Sequence, residues 1–428
     1  MGRRGEHIIK RSSSPGLALF ILAGIGTFGF VDRIVVNVLV EPLKREFDLT
    51  DTQVSLLGLA FALLNIGAGI VIARYAERAR RLTLISFGVV FWSVATAACG
   101  AAMNWTQLLL ARISVGLGEA IGLPSNQSVI ADYFPANRRA TAISVLLLAP
   151  PIGALIGFVG GGWIAQNLSW RMTFVLAAIP GLLLGVAAWL FVEEPVRGQH
   201  DPGTGDEVPG FMEVVRRMTH LASARHMIIG STIAAAIGFG ANYFFTSLMM
   251  RSFGLNIAQA GLYSGVIASL PAAISVVGSG WLADRWGARS PAAYALIPGI
   301  AMLLAGPIYA FAITRESLWL LLSLVSVSAL LQFGYLGVTF ASIQNLMHPR
   351  MRATASAMLN AIYGIAGGMG PLIVGLMSDR LEAIYGVGTG LSYAMALAGL
   401  AYLWAGAHYL LAARHVGADL EQVRPGGA

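Results

Sequence analysis

The chain has 428 residues, of which 56% are apolar and only 11% charged, with a mean hydropathy of +0.71 and a formal charge of +7. A water-facing domain carries about 25% charged residues and a single soluble core stops growing beyond roughly 250–300 residues, so the apolar stretches must face lipid. Most of them run about 20 residues or more, enough for a helix to cross a hydrocarbon layer of roughly 30 Å, and they lack the short alternating segments of a β-barrel.

The basic, Ser-rich segment from Met1 to Pro15 contains Arg3-Arg4, which imitates an export signal. The apolar run behind it continues into Asp32-Arg33 without a small-residue cleavage site, so it reads as a retained first helix. Twelve spans are predicted, at roughly 17–40, 54–73, 82–103, 107–133, 141–166, 172–192, 226–250, 259–282, 291–313, 317–346, 353–378 and 389–412. The expected fold is therefore an all-α membrane protein with twelve transmembrane helices in two pseudo-symmetric six-helix bundles. Residues 1–192 form the first bundle and 226–428 the second bundle and tail. Between them, 193–225 is a cytoplasmic linker, marked by Pro195, Pro202, Pro209 and interspersed glycines, with a short amphipathic helix from Phe211 to Leu221. Cys99, the single cysteine, lies within a span and permits no intrachain disulfide.

Lysines and arginines set the orientation. The N-terminal tail, the even-numbered loops and the C-terminal tail hold 20, the odd-numbered loops hold 6, and Arg33 and Arg112 lie within spans. Both termini are thus expected in the cytoplasm of a bacterial inner membrane. The basic charge reports topology, so no nucleic-acid partner is implied.

Two loop motifs recur. Ala73-Arg-Tyr-Ala-Glu77-Arg78 follows the second span and Gly280-Trp-Leu-Ala-Asp284-Arg285-Trp-Gly287-Ala-Arg289 follows the eighth. Pro135-Ala-Asn-Arg138-Arg139-Ala-Thr-Ala follows the fourth and Pro349-Arg350-Met-Arg352-Ala-Thr-Ala the tenth. Two markers repeating some 207 to 213 residues apart, each in the same loop of its half, indicate a duplicated six-helix unit.

These loops resemble the G-x-x-x-D-R-x-G-R-R signature of the major facilitator superfamily, clean at Gly280–Arg289 and degenerate in the first half, where Ala73, Glu77 and Arg80 depart from it. Arg112-x-x-x-Gly116-x-Gly118-Glu119-Ala120 resembles its fourth-helix motif. More narrowly, Asp32-Arg33 with Glu41-Pro42-Leu43-Lys44, Asp51-Thr52-Gln53 and Ile130-Ala-Asp-Tyr-Phe134-Pro135 resemble the bacterial branch of the spinster family of lipid transporters. The resemblance implies a carrier with lipid-like substrates. It also implies a cytoplasmic gate at Glu77, Arg78, Asp284 and Arg285, and Asp132 is the expected partner of Arg78.

A charge near the bilayer centre costs about 2.5–3.5 kcal/mol on insertion scales and needs a partner or a cavity. Four occur away from span ends: Asp32, Arg33, Arg112 and Glu119. Arg112 and Glu119 are seven residues apart, so they share a helix face about 10 Å from one another. With Asp32 about 6 Å and Arg112 about 12 Å outside the midplane, Arg112 is expected to reach both carboxylates. Asp32 is expected to face the cavity and Arg33 a neighbouring helix. Protonation of Asp32 or Glu119 would then release Arg112 for an anionic substrate; a permanent pair holding helices together is the structural alternative.

Spans seven to eleven contain no Asp, Glu, Lys or Arg. Their sparse polar groups supply the remaining candidates, Asn242, Gln332, Tyr335 and Tyr363, and Gln332 is within one residue of the repeat mate of Glu119. One half thus offers a cation and the other an apolar wall, which suits an amphipathic anion better than a sugar. Only Lys10 and Lys44 exist, neither in a Gly-rich phosphate loop, and no histidines sit at metal-ligand spacing. Gly24-x-Gly26-x-x-Gly29 matches a dinucleotide fingerprint but lies inside a span with no strand before it. No cofactor, metal or enzymatic activity is expected, and neither a channel nor a receptor is favoured. The sequence reads as a monomeric secondary carrier working by alternating access, proton-coupled, moving an amphipathic, lipid-like anion among membrane lipids. A proton antiporter for drug-like compounds or small organic anions is the alternative.

Overall fold

The first helix, α1 (Pro15–Val38), begins where the Ser14 hydroxyl accepts from the Leu17 amide and Pro15 occupies the first turn, a pairing that satisfies free amides and presets the backbone. The computed structural model describes residues 14–76, 79–196 and 210–422. After α1 a short α2 (Val40–Phe47) caps one end of the bundle, and α3 (Asp51–Ala76) and α4 (Arg81–Gly100) cross back and forth. One crossing is split into α5 (Trp105–Glu119) and α6 (Gly122–Tyr133), and the next into α7 (Ala136–Leu146) and α8 (Ala149–Asn167), before α9 (Trp170–Phe191). The amphipathic linker helix α10 (Phe211–His220) buries Val214 and Met218 against the second half, and Arg217 Nε donates to the Leu346 carbonyl at 3.2 Å.

The second half repeats the pattern with α11 (Ala222–Phe253), α12 (Ile257–Gly287) and α13 (Ala293–Ile313), then a crossing split into α14 (Leu318–Gln332) and α15 (Tyr335–Leu346). It ends with α16 (Arg352–Tyr385), α17 (Thr389–Ala413) and a tail helix α18 (Val416–Glu421). Among the described residues there is no strand, and eleven helices are long and apolar enough to cross a membrane. The twelfth predicted crossing is the α5–α6 pair, interrupted immediately after Glu119. Its counterpart breaks immediately after Gln332. The duplication seen in the loops therefore extends to where the backbone is interrupted.

The halves meet chiefly along α3–α16 and α8–α12. At the second seam backbone touches backbone: a Cβ on Gly162 would sit 2.8 Å from the Ile257 carbonyl, and one on Gly261 2.5 Å from the Phe158 carbonyl. Only glycine permits that approach, the usual device for bringing membrane helices together.

Candidate functional site

Glu119 occupies the last turn of α5, at the break, and Arg33 faces it from α1. Arg33 Nε and Nη2 donate to Glu119 Oε2 at 2.8 and 2.6 Å. The guanidinium also lies 5.1 Å from the Phe30 ring and 5.2 Å from that of Phe61, within cation–π range. Both residues line a cleft of about 280 Å³ together with Gly26, Gly29, Phe30 and Trp92. The Arg33 side chain is 30% exposed while that of Glu119 is 3% exposed, so the arginine forms the accessible rim of the pair. Glu119 Oε1 is buried without a partner.

Asp32, about 100° further round α1, turns away from this cleft. Its Oδ2 accepts from Thr96 Oγ1 at 3.1 Å and its Oδ1 is buried and unpartnered. Arg112 packs beside it, but Nη1 donates to the Asp32 backbone carbonyl at 3.3 Å, Nε has no partner, and the guanidinium lies 5.0 Å from the Phe61 ring. Two sequence expectations are corrected. Arg33, not Asp32, faces the cleft, and Arg33, not Arg112, holds Glu119. The cause is axial: Arg112 stays two turns from Glu119 on one helix, whereas the neighbouring α1 delivers Arg33 at Glu119's own level.

The second half presents a separate cleft of about 410 Å³, lined by Asn242, Phe245, Tyr309, Gln332 and Phe333 and closed by Phe158 of α8. Asn242 Oδ1 also accepts from Asn37 Nδ2 at 3.0 Å, a helix-to-helix bond joining the halves. Tyr335 and Tyr363 line neither cleft; their rings pack edge to face, 6.2 Å apart, beside Phe340.

A second charge cluster fastens the halves at the end of the bundle away from the described termini. Arg251 of α11 donates to Glu41 at 2.8 Å, to Asp51 at 2.7 and 2.6 Å, and to Glu382 at 2.6 Å. Lys44 and Ser378 also bind Asp51, and Asp379 accepts from the backbone amides of Asp51 and Thr52 at 2.8 and 2.9 Å, capping α3. Tyr243 adds a bond to the Val54 carbonyl at 2.7 Å. The Arg251 side chain is 3% exposed and that of Asp51 is buried completely.

The opposite end also carries charged groups. Arg81 donates to Asp132 at 2.6 Å and to Ser128 at 2.8 Å in the first half, and to Glu194 at the start of the linker at 2.8 Å. Asp284 accepts from Tyr294 at 2.9 Å and Arg285 lies 5.4 Å from the Trp281 ring, all in the second half. Asp132 thus has Arg81 beside it; Glu77 and Arg78 lie outside the described residues.

The sequence pattern of the Major Facilitator Superfamily matches residues 21–371. This chain belongs to the Major Facilitator Superfamily. An "MFS-type efflux pump" of Mycolicibacterium smegmatis is 28% identical over 410 residues, covering 95% of each chain. The sphingosine-1-phosphate transporter SPNS2 of Danio rerio is 24% identical, covering 90% of this chain and 80% of its own. The crystal structure of a bacterial homolog to the human lysosomal transporter spinster, inward-facing and unoccupied, superposes with a TM-score of 0.86 at 29% identity, covering 95% of this chain and 98% of that one. The resemblance to spinster-family transporters, read from first-half motifs, therefore holds across the chain, and a transporter rather than an enzyme is established.

Within this superfamily chain the sequence reading missed Arg81, Arg251 and Tyr309. Arg81 and Arg251 look like ordinary loop charges, although the odd loops that meet at Arg251 carry six carboxylates, Glu41, Glu46, Asp48, Asp51, Asp379 and Glu382, against four basic residues, Lys44, Arg45, Arg251 and Arg380. That imbalance was the available signal. Tyr309 had none, being one aromatic in an apolar span.

Proposed function

We propose that the chain is a proton-linked carrier that moves an amphipathic anion by alternating access between residues 1–192 and 226–428, with 193–225 as the connecting linker. The observation that carries the reading is the Arg33–Glu119 pair on the cleft wall, with one glutamate oxygen left unpartnered. The free Oε1 is where a proton adds. Protonated Glu119 loses its hold on Arg33, whose exposed rim then binds an anionic head group. Proton and anion thus act on one arginine, and that shared dependence is what couples them. Asp32 and Arg112 lie directly behind, where the Asp32 carboxyl offers a second proton site and Arg112 anchors the α1 backbone. The apolar lining of the second-half cleft suits the tail.

The excess of Lys and Arg at the end with the termini supports reading that end as the cytoplasmic one. The Arg251 cluster then closes the outer side, which supports reading the described state as inward-facing. Asp132, Asp284 and Arg285, with Glu77 and Arg78, act as the cytoplasmic gate by exchanging partners within a half for partners across the halves when the inner side closes.

The test is uptake by the full-length chain in liposomes, offering lysophospholipids, sphingoid phosphates and small organic anions with and without an imposed pH gradient, beside an Arg33→Ala control. Uptake of one amphiphile, stimulated by the gradient and lost in the control, is expected. Uptake of small anions alone would discard the lipid assignment. The relative described as an efflux pump supports a second reading, proton-coupled export of drug-like compounds. That reading predicts expulsion of preloaded hydrophobic dyes, with no competition from lysophospholipids.

A further inference from the structure

The second-half cleft contains two polar atoms that the fold leaves unanswered. Gln332 is 6% exposed and Tyr309 2%, and both Gln332 Oε1 and Tyr309 Oη are buried without hydrogen-bond partners. Each unpaired group costs about 1–3 kcal/mol where it cannot reach water, and buried polar side chains are normally satisfied. Both nonetheless line the same cavity, beside Phe158, Phe245 and Phe333 and the polar side chains of Asn242 and Ser264. Neither is there through loose packing. Gln332 ends α14 at the interruption matching that after Glu119. The Tyr309 ring is seated so closely on Gly399 of α17 that any Cβ there would collide with it.

The chemistry of the pair is specific. A tyrosine hydroxyl donates and accepts; a glutamine amide offers an acceptor oxygen and a donor nitrogen. Neither carries charge, and the described residues lining this cleft include no ionisable side chain other than Tyr309 itself. The matching ligand group is neutral and hydrogen-bonds in both directions, as a hydroxyl or an amide does. We infer that this cleft is a neutral hydrogen-bonding subsite, taking a hydroxyl or amide of the same amphiphile whose anionic head is held at Arg33. The inference rests on the proposed function and narrows its substrate class. The carrier prefers hydroxylated or amide-bearing amphiphilic anions over plain fatty-acid-like anions of equal charge and length, because the plain anion leaves both polar atoms unpaired.

The test is equilibrium binding to the purified full-length chain of two probes: lysophosphatidic acid, with its free glycerol hydroxyl, and the 2-deoxy analogue of equal head charge and acyl length. The wild type is expected to bind the hydroxylated probe about tenfold more tightly, the scale of the net contribution of one hydrogen bond. In Tyr309→Phe or Gln332→Leu that ratio falls below about twofold, while affinity for the deoxy probe stays within about twofold of wild type. Equal binding of the two probes by the wild type overturns the subsite, as does a ratio that survives in both variants. Arg33→Ala separates the two claims. If it abolishes binding of both probes, the head-group reading stands whatever the ratio shows. If it changes nothing, that reading falls, and the subsite is judged on Tyr309 and Gln332 alone. Binding of neither probe by the wild type overturns both.

Discussion

The two buried charge clusters differ in how completely they are satisfied. At Arg251 one guanidinium binds three carboxylates, Asp51 is further served by Lys44 and Ser378, and none of these side chains leaves a buried polar atom without a partner. Around Arg33, by contrast, Asp32 Oδ1, Glu119 Oε1 and Arg112 Nε are all orphaned. A saturated network rigidifies and defines one arrangement; a partly satisfied one sits at an energetic disadvantage that a proton or ligand can relieve. In the proposed cycle the two arginines, one 3% and the other 30% exposed, thus do different jobs, Arg251 holding the halves together and Arg33 exchanging partners.

The largest effect that would break this comparison is at Glu119. Glu119→Gln keeps shape and a hydrogen-bonding group but cannot ionise. Gradient-stimulated uptake should fall roughly 100-fold, the scale of a lost charge-assisted contact of about 3 kcal/mol, while the thermal unfolding midpoint hardly moves. Uptake with wild-type rate and pH dependence would make the pair merely structural. The next effect belongs to Arg251→Ala. Stripping the cation from a buried set of acids costs about 3–5 kcal/mol, so the variant should unfold at a markedly lower temperature. It should also expose the outer seam, read as faster thiol labelling of Asn37→Cys in a Cys99→Ala background. Unchanged labelling would remove the cluster's sealing role. The smallest effect is at Asp284, which accepts from Tyr294 at the surface. Asp284→Asn should leave stability within about 0.5 kcal/mol, as for an exposed charge, yet slow turnover a few-fold. Untouched turnover would reduce that loop motif to an anchor.

The architecture was legible because it is written in hydropathy, charge asymmetry and a repeat that even marks the breaks after Glu119 and Gln332. The members of the central cluster were legible too, since charges inside spans are rare. Their pairing was not. Asp32 and Arg33 are adjacent, and which of them faces the cleft depends on the rotation of α1 against α4, a property of packing rather than of local sequence. The same limit hid the pairing of Asp132 with Arg81, which looks like one more basic residue of a cytoplasmic loop. Asn242 emerged as a bond between the halves because Asn37 faces it across α1 and α11, a coincidence of depth that no span prediction resolves.

The α8–α12 seam carries one last implication. Side chains that interlock fix the angle between two helices; a glycine-on-glycine contact bears load without fixing it, like a plain bearing with no teeth. The rocking axis of the carrier can therefore run through Gly162 and Gly261 while the flanking ion pairs and hydrogen bonds decide where it stops. A single methyl at either position is then a wedge on the shaft, holding the Arg251 end ajar without touching a charge or the substrate path.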